Sequence, residues 1–96
     1  MLSDDEIREL VIKKSRRDLL AVLKIFYPAN ADYETLRLTL PTVEERYLKV
    51  DLSYLIDKGY VEWVNKRANA AWPDREYRLT ATGVETADRI NKDPAL

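Results

Sequence analysis

Apolar positions along the chain change period once, and that change divides it into a helical part and a mixed part. Ser3 with Glu6 forms a capping-box pattern, and Asp4, Asp5 and Glu6 suit the positive end of a helix dipole. No Pro or Gly follows until Pro28, so a first helix can run as far as Tyr27. Leu19, Leu20, Leu23, Phe26 and Tyr27 recur at the spacing of a core-facing stripe. A second apolar set, Ile7, Leu10, Val11, Val22 and Ile25, falls on a different face at about 100° per residue. A break in the basic stretch Lys13 to Arg17 would realign the two sets.

Asp32 is a candidate N-cap for a second helix from Tyr33 to about Leu40, with Leu36 and Leu40 on one side and Pro41 ending it. Thr42 with Glu45 forms another capping box, opening a third helix that runs to Lys58, where Gly59 supplies the C-terminal cap. Leu48, Leu52, Leu55 and Ile56 form its core stripe. Val43, Tyr47, Val50 and Tyr54 form a further apolar stripe, expected to pack against the first or second helix, with a partner surface as the alternative. After Gly59 the period shortens. Tyr60 to Val64 is aromatic and β-branched, and Glu76 to Leu79 alternates polar and apolar, so both read as strands. The polar segment Asn65 to Asp74 is the loop between them. Thr80 caps a last helix whose buried side is Val84, Ala87 and Ile90, and the tail beyond about Asn91 is expected to fray.

The order is therefore helix, helix, helix, strand, loop, strand, helix. The run Leu52-Ser-Tyr-Leu-Ile-Asp-Lys-Gly59-Tyr60-Val61, followed by Tyr77-Arg-Leu-Thr80-Ala-Thr-Gly83, resembles the end of the recognition helix and the closing of the wing in PadR-like and MarR-like regulators. The resemblance implies a mainly α chain with a small β-hairpin, a winged helix-turn-helix of three helices, a two-stranded wing and a C-terminal helix. It places an N-terminal helical extension at 1–14, the winged helix at 15–91 and a tail at 92–96. The function it implies is sequence-specific binding of double-stranded DNA by a small bacterial or phage transcription regulator.

Composition narrows the chemistry. With 96 residues, 46% of them hydrophobic, the chain can fill one modest core. It has neither cysteine nor histidine, which removes disulfides, thiolate metal sites, the commonest zinc ligand and the commonest general base. With two glycines there is no phosphate-cradling loop, and no nucleophile–base pair is visible, so neither an enzyme nor a cofactor or metal is expected. No signal-like or membrane-length apolar run occurs, and the expected location is the cytoplasm.

Sixteen basic residues stand against 17 acidic ones, a balance unsuited to strong nonspecific phosphate binding but compatible with basic residues gathered on one face. On the third helix that face is Arg46, Lys49 and Ser53, at the spacing that would meet base edges and phosphates in a major groove. Glu44 and Glu45 oppose it, since phosphate repels a carboxylate. In the wing, Lys66, Arg67 and Arg75 are the candidate backbone contacts, and Trp72 is expected to pack. Lys13, Lys14, Arg16 and Arg17 form a third basic cluster. The rival reading is a winged helix that docks proteins and binds no DNA. The leftover stripe of Ile7, Leu10, Val11, Val22 and Ile25 is expected to pair with a second copy in a homodimer, the alternative being that residues 3–14 fold back on their own domain.

Overall fold

The computed structural model describes residues 2–65 and 69–92, the side chains of 90–92 excepted. Four helices and three short strands follow in the order α1 (Asp4–Phe26), β1 (Ala31–Asp32), α2 (Tyr33–Thr39), α3 (Glu45–Asp57), β2 (Val61–Trp63), β3 (Glu76–Leu79) and α4 (Ala81–Lys92). β3 lies between β1 and β2, antiparallel to both, with Val61 opposite Leu79 and Ala31 opposite Tyr77. The hairpin expected from the sequence is thus present, and β1 adds a strand to it. Two residues of loop do not show the alternation that marks a strand, so β1 had no signal of its own.

One core joins these elements. Leu19, Leu20 and Leu23 of α1 meet Leu36 of α2, Leu48, Leu52 and Leu55 of α3, Val61, Tyr77 and Leu79 of the sheet, and Ala87 of α4. Phe26 is half-buried, while Tyr27, expected in the stripe, caps the end of α1 and is exposed. α1 is continuous: Lys13 to Arg17 is helical, and the boundary between residues 14 and 15 falls inside it. Nothing in that stretch breaks a helix, and Ser15 anchors its middle by burying against α3. Residues 4–14 therefore project rather than fold back, and the molecule measures 47 × 26 × 22 Å.

Caps follow local chemistry with one exception. Ser3 accepts from the Glu6 amide (3.2 Å) and Asp32 from the Thr35 amide (2.7 Å). The capping box at Thr42 and Glu45 does not form. Val43 closes a turn on the Leu40 carbonyl, so α3 starts late, with Glu44 in the cap position and no side-chain cap bond. The stripe on the adjoining face of α3 packs only in part: Val43, Tyr47 and Tyr54 are half-buried, but Val50 remains 60% exposed.

The two glycines serve different ends. Gly59 takes φ +79° and turns the chain out of α3 toward β2. Gly83 lies where α4 crosses the strand lead-in, and an added Cβ there would sit 1.9 Å from the Tyr60 carbonyl oxygen. Thr80 completes this corner, its hydroxyl donating to the Gly59 carbonyl (2.6 Å) and accepting from the Gly83 amide (3.0 Å). Gly83→Ala should cost about 3 kcal/mol, because backbone has to move, against about 1 kcal/mol for Gly59→Ala, which meets open space and only the left-handed penalty. Chemical denaturation of both variants checks the order; a Gly83→Ala protein as stable as wild type would contradict the close approach.

Candidate nucleic-acid interface

α3 buries Leu48, Asp51, Leu52 and Leu55 and therefore turns its opposite face outward. Arg46 and Ser53 are exposed and Lys49 is half-exposed. Each cation has a carboxylate beside it: Arg46 Nε lies 2.9 Å from Glu44 and Lys49 Nζ 3.8 Å from Glu45. The Arg46 guanidinium also rests over the Tyr47 ring at 4.8 Å. Exposed pairs of this kind hold their geometry weakly, so either cation can exchange its partner for an incoming anion at small cost.

Lys49 connects α3 to the wing. Its ammonium sits 4.9 Å from the centre of the Trp72 ring and 5.9 Å from that of Tyr33. Trp72 meets Tyr33 edge to face at 5.3 Å, which confirms the packing role expected for it. The Arg75 guanidinium lies 3.9 Å from the centre of the Trp72 ring and 4.3 Å from that of Trp63. Arg75 Nε also points to the Ala70 carbonyl at 3.4 Å. Arg75, a candidate phosphate contact in the sequence, is thus held between two indole rings at the root of the wing. Lys66 and Arg67 lie outside the described residues.

Asn65 carries the wing root, and the sequence reading did not single it out. Its Oδ1 accepts from Trp63 Nε1 (2.8 Å) and from the Glu76 amide (2.9 Å), and its Nδ2 donates to the Asp74 carbonyl (3.0 Å). One amide side chain thereby closes the loop between β2 and β3. An asparagine beside a hairpin loop was the available signal, but the Asp74 carbonyl and the Glu76 amide become its neighbours only after the strands pair. Tyr33 is also buried; burial, with the nearby Glu45 carboxylate as the next contribution, pushes its phenol up to about 12, so it stays uncharged under the wing.

Behind the outer face, α1 grips α3 through polar groups. The Ser15 hydroxyl lies 2.5 Å from Asp51 Oδ2 and 2.9 Å from the Ile12 carbonyl. Arg16 Nε is 3.5 Å from Asp51 Oδ1, and its guanidinium covers the Tyr54 ring at 3.6 Å. Asp51 is 3% exposed, and burial raises its carboxyl from its ordinary value, against the pull of Ser15 and Arg16. A hydroxyl has one proton, so Ser15 shares it between the two acceptors. The basic cluster on α1 is therefore not a bare cationic strip. Arg16 faces Asp51, Lys13 lies 3.5 Å from Glu9 and Lys14 lies 3.2 Å from Asp18.

Among the described residues no three carboxylates gather as a metal-binding set, and no helix is long and apolar enough to cross a membrane. No family model and no curated protein matches the chain. A crystal structure provisionally described as a MarR-family transcriptional regulator from Porphyromonas gingivalis W83 is similar in fold, with a TM-score of 0.59 at 23% sequence identity, over 96% of this chain and 90% of that one. The chain has the winged helix-turn-helix fold. α2 and α3 form its helix-turn-helix and the β2–β3 hairpin its wing.

The raised Asp51 value sets a direction for pH. A folded-state pKa above the unfolded value means that the folded chain binds the proton more tightly, so stability from this group is present below the unfolded value of about 3.9 and is lost as pH rises through the folded value. Asp51→Asn has no such proton. The melting temperature of wild type minus that of Asp51→Asn should therefore fall as pH rises above about 4; thermal melts at increasing pH check it, and a difference that rises would contradict the assignment.

Proposed function

We propose that this chain is a transcription regulator of bacterial or phage type, acting in the cytoplasm as a homodimer on duplex DNA and catalysing no reaction. The observation that carries the reading is the outer face of α3. There Arg46, Lys49 and Ser53 project from a helix whose opposite side is locked into the core, and Lys49 is seated against the wing. In the bound state α3 enters the major groove. Arg46 and Lys49 leave Glu44 and Glu45 for guanine edges or phosphate, and Ser53 meets the backbone. Lys66 and Arg67 contact phosphate, and Arg75 braces the root of the wing. The dimer face is the projecting part of α1, where Ile7, Leu10, Val11 and Ile25 are 47, 54, 56 and 81% exposed. Val22 leans into its own core and contributes only its outer edge.

The carboxylates beside Arg46 and Lys49 favour a second reading, in which the same face docks a protein. Selection from random duplex DNA at two salt concentrations separates the two. One enriched motif is expected, with Arg46→Ala and Lys49→Ala each weakening it by about 1–3 kcal/mol. Lys66→Ala or Arg67→Ala should leave the motif unchanged and lower the salt slope by about one unit per lost phosphate contact. Recovery of no motif, with binding indifferent to all four substitutions, would reject the DNA reading in favour of protein docking.

A further inference from the structure

The exposed face of α1 has a spacing that reads the same from either end. Ile7, Val11, Lys14, Asp18, Ala21 and Ile25 follow one another in steps of four, three, four, three and four residues, centred on Arg16. At about 3.6 residues per turn these six make one stripe, on the side of the helix turned away from Leu20 and Leu23. The structure shows that α1 is continuous through the centre of this stripe, and Ile7, Val11, Lys14, Ala21 and Ile25 are all exposed, with Asp18 half-exposed. The side chain of Arg16 itself points the other way, onto Asp51 and Tyr54, so the middle of α1 is fixed to the domain while its outer face is open.

We infer that two copies of this chain pair through α1 antiparallel, about a two-fold axis beside Arg16, with Ile7 against the partner's Ile25, Val11 against the partner's Ala21 and Lys14 against the partner's Asp18. This rests on the homodimer proposed above and gives it a register. Charge complementarity selects the direction. In a parallel pair Lys14 would face Lys14 and Asp18 would face Asp18, like charges at the centre of an apolar seam. In the antiparallel pair each Lys14 meets an Asp18, twice by symmetry. Within its own helix this pair has the weaker order, cation before anion at i, i+4, so its 3.2 Å contact gives up little when the partner arrives. Polar residues at seam positions of a helix pair fix register at some loss of stability. Ala21 opposite Val11 leaves room for close approach, and an open cleft of about 250 Å3, lined by Val11, Lys14, Asp18, Val43 and Tyr47, flanks the seam.

The chain has no cysteine, so introduced thiols report the register directly. Sedimentation equilibrium of wild type comes first: a dimer is expected, and a monomer at micromolar concentration removes the dimer and the register together. Then Ile7→Cys and Ile25→Cys are joined by a short bismaleimide. The mixture of the two single variants and the double variant should give covalent dimers, and each single variant alone should give few. A protein that sediments as a dimer but is linked through Ile7→Cys alone, or through none of these, overturns the register while leaving dimerisation standing. Charge exchange is the independent arm. Lys14→Asp should weaken the dimer by on the order of tenfold, since two like-charged contacts replace two attractive ones, and Lys14→Asp with Asp18→Lys should restore it. A double variant as weak as the single one overturns the pairing.

Discussion

Everything in this fold depends on how one helix divides its surface. α1 supplies Leu19, Leu20 and Leu23 to a core that a chain of this size can fill only once, and those leucines seat it across α3, the sheet and α4 together. Because α3 must answer with Leu48, Leu52 and Leu55, its remaining residues have no choice of direction. Outward placement of Arg46, Lys49 and Ser53 is thus a consequence of leucine burial some distance away, as is the exposure of the apolar residues on the far side of α1. The buried carboxylate of Asp51 sharpens the fit. It ties α3 to α1 at one rotational setting, where leucines alone would tolerate small rotations.

The helices were legible because their information is local. Leucine spacing, Ser3, Asp32 and Thr80 as caps, and Gly59 as a stop are each decided within a turn or two of sequence, and the structure has all of them. The capping box at Thr42 misled because Glu45 suits two positions equally well, and the turn that Val43 makes with Leu40 decided between them. β1 was hidden for the opposite reason: Ala31 and Asp32 become strand only when Tyr77 and Glu76 arrive, 46 and 44 residues away along the chain.

The candidate site was legible only as a list of exposed residues on α3. What surrounds them was not. That Lys49 reaches Trp72, that Arg75 lies against both Trp72 and Trp63, and that Asn65 joins the end of β2 to Asp74 and Glu76 are contacts between segments that only the fold brings together. In the sequence Arg75 is one cation in a basic loop. In the fold it is the filling of an aromatic stack, and the same charge acquires a structural role.

That stack places both tryptophans of the chain at one spot, the root of the wing, each against the guanidinium of Arg75, with Lys49 of α3 close to one of them. Intrinsic fluorescence of this protein is therefore a local signal. Indole emission responds to neighbouring charge and to solvent, and here it arises where wing and α3 meet. Whatever engages that junction, or loosens the wing from it, changes the colour or the intensity of the light without any label being attached.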